Sequence, residues 1–278
     1  FFYRHKSKNM NTKPIRSASH RVTNDVVFDL ICSRVGVNGK ILDFGSGPGH
    51  MCQRLGNYFK QAGHQPEEHL SACEVNPAEF LYSEIECHKI SPDSEIPFTD
   101  NHFDLIYAIE VIEHTRRPYD LFCEVYKKLK PGGVFLFTTP NLLQMKSRLD
   151  FLLTGFGDMY PPPSSLDKNA GRICGHIMPL NLAYFAYGAR KAGFAEPDFH
   201  LDRRKRSATF LSVLLWPLLK IASWRYDRKI KKYDLDDWEE NREIIPQMNS
   251  FDLLTSRSCI ITVKKPNTDR SDFQDNKS

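Results

Sequence analysis

Glu110, Glu113 and His114 lie within five residues of one another, in the run Tyr107-Ala108-Ile109-Glu110-Val111-Ile112-Glu113-His114. If a helical turn begins at Glu110, the three stand at i, i+3 and i+4 and share one face. Two carboxylates and an imidazole so placed suit a divalent cation, and His114 alone suits a general base that removes a proton from an attacking oxygen. A plainer reading is local: acids in a first helical turn complement the helix dipole, and the histidine caps or packs nearby. The spacing leaves all three open.

The second constellation is a ligand cradle. Ile41-Leu42-Asp43-Phe44-Gly45-Ser46-Gly47-Pro48-Gly49 reads as a strand running into a glycine-rich turn and then a helix, which aims backbone N–H groups and a helix N-terminus at a bound molecule. Gly45, Gly47 and Gly49 permit close backbone approach. A dinucleotide fingerprint has glycine at the sixth position of this turn, whereas His50 stands there, so the turn favours S-adenosylmethionine over a nicotinamide cofactor. Glu74 ends the next strand in Cys73-Glu74-Val75, where a carboxylate can accept both hydroxyls of a ribose. Asp93, beside Ser94 and ahead of Ile96-Pro97-Phe98, is the expected contact to the adenine. Asp43 and Glu110 complete the expected cofactor-side set.

The elements that must position these groups follow from periodicity. Strands are expected over 40–44, 70–75, 103–109 and 134–139, and helices over 20–35, 49–62, 77–88, 119–129 and 180–192, with a turn at Lys130-Pro131-Gly132-Gly133. Such alternation builds βαβ units, and hence an α/β fold with a doubly wound, mainly parallel, seven-stranded sheet. After Pro140 the pattern lapses through Gly155, Gly157 and Pro161-Pro162-Pro163, so 140–178 is expected to be a lid or substrate loop. The last strand is 259–264. It leaves an insertion over 202–258, with a basic, polar arm over 1–20 expected to be disordered and a flexible tail over 266–278.

Four blocks in this order, ILDFGSGPG, Glu74, PFTDNHFDLIYAIEVIEH and LKPGGVFLFTTPN, make the chain resemble class I S-adenosylmethionine-dependent methyltransferases over roughly residues 20 to 200. The resemblance implies a Rossmann-like fold and that cofactor. The Glu110 to His114 segment further resembles the ExxEH segment of ubiquinone-pathway O-methyltransferases and small-RNA 2′-O-methyltransferases, where the two Glu, the His and one later His bind a divalent metal. His176, in Gly175-His176-Ile177-Met178-Pro179-Leu180, matches that later position. The implied metal set is therefore Glu110, Glu113, His114 and His176, with an ion such as Mg²⁺, and Glu110, His114 and His176 as the catalytic groups. The flanks of His176 depart from the metal-dependent families by lacking their aromatic neighbour.

The rest of the chain narrows the partners. A net charge of +4 from 38 basic and 34 acidic residues is too small for a protein that coats nucleic acid. Seven scattered cysteines with no CxxC pair argue against a disulfide scaffold or zinc knuckle and for a reducing, cytoplasmic setting. Phe1 in place of Met points to a fragment or an upstream extension, with Met10 a candidate start. Within 203–232 a leucine-rich run carrying Trp216 and Trp224 lies between basic clusters; it is broken by Pro217 and Lys220 and is short for a bilayer span, which needs about 20 apolar residues. A buried or oligomeric contact, a peripheral contact at the inner face of a membrane, and RNA are its three readings, in that order. The expected activity is O-methylation of a small molecule, a sugar or glycan, or a lipid-linked precursor; the alternatives are methylation of RNA ends and a non-catalytic scaffold that only binds the cofactor.

Overall fold

The structure is a computed structural model that describes residues 14–17, 19–91, 95–163 and 175–267. Seven strands, β1 (Ile41–Phe44), β2 (Leu70–Glu74), β3 (Cys87–Lys89), β4 (Phe103–Ile109), β5 (Leu129–Pro140), β6 (Asp198–Leu201) and β7 (Ser258–Lys264), form one sheet in the order β3-β2-β1-β4-β5-β7-β6. All neighbours pair in parallel except β7, which runs antiparallel to both β5 and β6.

Burial on both faces accounts for the near-continuous apolar runs of the central strands. Successive residues of β4 and β5 point to opposite sides: Ile106, Ala108, Phe135 and Phe137 join one core, while Leu105, Tyr107, Val134 and Leu136 join the other. The first core is closed by α4 (Pro118–Lys128) and α6 (Leu182–Ala192), the second by α1 (Arg21–Val35) and α2 (His50–Gln61). The short α3 (Pro66–His69) leads into β2. The strand order reverses between β1 and β4, and the crevice beyond their carboxyl ends is where open sheets of this kind hold ligands.

Several expectations change. The helix expected over 77–88 is only a 3₁₀ turn, Pro77–Glu79, followed by extended chain into β3. Packing overrides its helical spacing: Phe80 lies against Gly49, and Tyr82 reaches over Gly56 of α2 and donates its hydroxyl to Glu84. The turn at 130–133 is the irregular start of β5, with a register shift opposite Phe103 and Leu105. β6 was not foreseen. The end of the N-terminal arm is fixed, since Ile15 N–H donates to Gln53 and its carbonyl meets His50 Nδ1, while residues 1–13 and 268–278 lie outside the described part.

Between β5 and α6 the lid segment contains α5 (Met145–Thr154). The insertion holds α7 (Arg206–Tyr233), α8 (Leu235–Asn241), α9 (Ile244–Gln247) and α10 (Phe251–Thr255). Asn141, at the end of β5, donates to the carbonyls of Leu253 and Ser256 and so ties α10 to the sheet edge above the crevice.

Candidate functional site

The glycine turn after β1 has three left-handed residues, Gly45 (φ 77°), Gly47 (φ 50°) and Gly49 (φ 83°), a conformation that L side chains rarely adopt. Their reasons differ. A Cβ on Gly45 would sit 2.6 Å from Val111 and one on Gly49 2.7 Å from Phe80, so those two are required by packing. A Cβ on Gly47 would meet nothing within 4 Å, so its backbone faces open space. The Glu74 carboxylate borders that space: Oε2 accepts from Gly47 N–H and Oε1 from Val75 N–H, both at 2.7 Å. Each oxygen keeps a further lone pair, which suits a cis hydroxyl pair. This donor and acceptor set fits the adenosine of S-adenosylmethionine.

Asp43 lies beneath the turn rather than in it. It is 3% exposed, its Oδ2 accepts from the Cys52 thiol, and burial pushes its carboxyl up to about 7, partly opposed by the Tyr107 and Cys52 hydrogen bonds. Its place is to brace β1 and α2 under the cradle. Asp93 lies outside the described residues.

Beside the cradle, Val111 brings the Glu110 to His114 turn directly onto Gly45. The helical turn expected from Glu110 starts later: Glu110 is left-handed (φ 54°) and only Ile112–His114 forms a single 3₁₀ turn. Glu110 and Glu113 therefore do not share a helical face. Thr138 holds the strained residue at both ends, accepting from Glu110 N–H and donating to its Oε1, each at 3.0 Å. Burial raises the Glu110 carboxyl, an effect that the Thr138 hydrogen bond and the charge of Arg257 oppose.

Glu113, His114 and His176 do converge, one ligand atom from each lying within 4.8 Å of the others. The convergence comes from backbone pairing, because Ile177 and Met178 N–H both bond to the Glu113 carbonyl and so dock the His176 segment on the turn. His114 Nδ1 donates to the Gly175 carbonyl at 2.7 Å and His176 Nδ1 to the Met159 carbonyl at 2.6 Å. A carbonyl only accepts, so the hydrogen stands on Nδ1 in both rings and Nε2 is left for a proton or a metal. The rings lie 4.9 Å apart, and His176 Nε2 is 3.9 Å from Glu113 Oε1.

Electrostatics sharpen the picture. Glu113 is fully buried, and among the described residues its carboxylate has only its own backbone N–H and the Thr139 hydroxyl as donors nearby, neither in good hydrogen-bond geometry. Burial, and then the charge of Glu110, push its carboxyl well above the usual range. Burial lowers the His114 imidazole below its ordinary 6.5, which keeps it neutral and able to ligate. An orphaned buried carboxylate facing two oriented imidazoles fits a divalent cation, with Glu110 outside the trio. Sequence reading missed Tyr160, whose ring packs 5.4 Å from His176 and whose hydroxyl meets Thr139. It quoted the TTPN block but gave Thr138 and Thr139 no role, and around Tyr160 no periodic signal marks a site.

A family model for a methyltransferase domain matches residues 29–195. A sterol 24-C-methyltransferase of Gibberella zeae is 30% identical over 139 residues, 47% of this chain and 35% of that protein. A ubiquinone biosynthesis O-methyltransferase of Maricaulis maris is 28% identical over 123 residues, 41% of this chain and 48% of that protein. A dimethylglycine N-methyltransferase of Parasynechococcus marenigrum is 31% identical over 108 residues, 37% of this chain and 38% of that protein. The chain thus spans less than half the length of these relatives. Among solved structures, a SAM-dependent methyltransferase from Archaeoglobus fulgidus superposes with a TM-score of 0.53 at 15% identity, covering 89% of this chain and 95% of that one, which shows the fold.

Proposed function

The chain belongs to the methyltransferase domain family, and from that premise we propose that it moves the methyl group of S-adenosylmethionine to a hydroxyl of a small-molecule, glycan or lipid-linked acceptor. The observation that carries this reading is the Glu113, His114 and His176 cluster one turn from the cofactor cradle. Carbon, nitrogen and oxygen acceptors all occur among the relatives. An uncharged amine needs only its lone pair, whereas a hydroxyl must lose a proton before or as it attacks.

The residues supply that need. Glu74 and the Gly47 backbone would hold the adenosine of S-adenosylmethionine, which supplies the methyl group. A hydroxyl placed in line attacks the methyl carbon; the new O–CH₃ bond forms as the S–CH₃ bond breaks, leaving neutral S-adenosylhomocysteine. His114 Nε2, neutral and oriented by the Gly175 carbonyl, takes the hydroxyl proton. Tyr160 and Thr139 wall the far side of His176 against water. A divalent ion such as Mg²⁺ held by Glu113, His114 and His176 would occupy His114 Nε2 and take the place of that base, lowering the pKa of a hydroxyl it bound.

Titration calorimetry of S-adenosylmethionine, followed by transfer of labelled methyl to matched alcohol and amine acceptors with and without chelator, tests the reading. Cofactor binding with transfer to hydroxyls alone supports it. Transfer to amines alone, undiminished in His114→Ala, refutes the acceptor assignment. No cofactor binding by folded protein refutes the activity.

A further inference from the structure

We propose that the outer face of α7 is a docking surface for an anionic lipid bilayer, on which the protein lies as a peripheral enzyme. α7 runs 28 residues and, by length and composition, could cross a membrane. Its packing favours a surface role, with one side against the protein body. Ala208 and Ser212 are fully buried, and Leu211, Leu215, Trp216 and Leu219 pack with Met145 of α5 and Leu254 of α10, so one side of the helix is committed to the protein body.

The other side is uncovered. Phe210, Leu214, Ile221 and Trp224 fall at i, i+4, i+11 and i+14 on one stripe and are 70%, 64%, 57% and 55% exposed, although they are the residues burial would stabilise most. The neighbouring α5 ends in Phe151, Leu152 and Leu153, exposed by 63%, 78% and 73%. The α7 stripe then changes chemistry without changing face: Arg225, Arg228 and Lys232 continue it. Arg228 stacks 4.2 Å over the Trp224 ring and Lys220 4.5 Å over Trp216, so cation and indole are paired at the boundary. Arg225, Arg228, Lys229 and Lys232 have no carboxylate at ion-pair distance among the described residues. Asp227 is turned aside to the Trp238 indole of α8, and Glu240 of α8 to Arg190 of α6.

Charge decides among occupants. A bilayer with anionic headgroups accepts both halves of the stripe, acyl chains taking Phe210, Leu214 and Ile221, the interface taking Trp224, and phosphates taking the arginines and lysines. A second copy of the chain paired about a two-fold axis would set the cations against each other, or against the apolar half. RNA would leave the aliphatic residues in water. The stripe is also coupled to the site: Lys205, the N-cap of α7, pairs with Asp158 at 2.8 Å, and the next residue, Met159, holds His176. This inference stands on α7 alone and survives a different acceptor.

The test is flotation of the full chain with phosphatidylcholine vesicles, with and without about a third phosphatidylglycerol, across a salt series. Binding is expected to the anionic vesicles only. It should weaken roughly fivefold for each of Arg225→Gln, Arg228→Gln and Lys232→Gln, and Phe210→Ser with Ile221→Ser should abolish it while cofactor affinity stays unchanged. All five side chains are exposed, so folding is preserved, and cofactor binding reports it. Failure to float with anionic vesicles overturns the proposal, whether the protein stays monomeric, forms a dimer that Ile221→Ser dissociates, or binds RNA instead. Flotation indifferent to all of these substitutions also overturns it.

Discussion

Glu113→Gln separates a carboxyl that is simply buried from one held in readiness for a cation. The wild-type carboxyl is fully buried and pushed well above its ordinary 4.5, burial first and the Glu110 charge second. The sign follows from proton counting: above 4.5 the unfolded chain releases a proton that the folded chain retains, so stability falls as pH rises until the folded value is reached. Within that window each pH unit costs about 1.4 kcal/mol. The isosteric amide does not titrate. At a conversion of about 2 to 4 °C per kcal/mol, Glu113→Gln should gain roughly 3 to 6 °C on the wild type for each pH unit within that window and melt level with it near pH 4.5. Asp43, raised to about 7, slopes the same way in both proteins and cancels. Adding Mg²⁺ or Mn²⁺ should raise the wild type relative to the variant, since a ligand at about a hundred times its Kd contributes about 2.7 kcal/mol to the protein that binds it. Thermal scans by circular dichroism from pH 4.5 to 8, with and without metal, give the answer. Parallel wild-type and variant curves would refute the reasoning, because they would mean that Glu113 titrates as a solvated acid.

Metal affinity of the wild type, followed by calorimetry, should rise with pH above 6.5, because Glu113, raised by burial, must release its proton to ligate while burial holds His114 below 6.5; a flat profile would remove Glu113 from the ligand set. Glu74→Ala should weaken S-adenosylmethionine roughly 10- to 100-fold by losing charge-assisted hydrogen bonds to the ribose, and calorimetry showing unchanged affinity would displace the cradle. Gly47→Val should abolish cofactor binding, since its side chain would fill the open space beside Glu74, at a strain cost of about 1 to 2 kcal/mol at φ 50° that thermal melts can register. Thr138→Val should cost about 1 to 3 kcal/mol, because it removes the hydroxyl from both ends of the strained Glu110 and leaves its N–H only the Thr138 carbonyl, and a melting temperature equal to wild type would show that the hydroxyl's bonds carry no weight.

Legibility in the sequence tracked how local each cause is. The glycine turn was readable because a strand, a left-handed turn and a helix N-terminus are fixed within a dozen residues, and Glu74 because it ends the adjacent strand. The 77–88 segment was misread because its apolar residues keep a helical spacing for a tertiary reason: Phe80 and Tyr82 fill the surface over Gly49 and Gly56. β3 and β6, with three and four residues, are too short and polar to carry a period. The sheet edges, where a strand has one neighbour and half-solvated faces, are where periodicity says least.

The candidate cluster shows the same division inside one motif. Glu110, Glu113 and His114 are neighbours in sequence, yet the backbone splits them: left-handed Glu110 turns to Thr138, while Glu113 and His114 turn to a histidine more than sixty residues away. An i, i+3, i+4 count presumes helical geometry, and it failed where the chain spends strain to aim a side chain elsewhere. That strain is itself informative. A non-glycine residue is held left-handed by two hydrogen bonds at the carboxyl end of the central strand, directly over the cofactor turn, and Glu113 stands unpartnered in the core beside it. Both features cost stability in the free protein. Thr138 offsets the first in part, and a bound cation would relieve the second, so the two costs point to the same few residues over the cofactor turn.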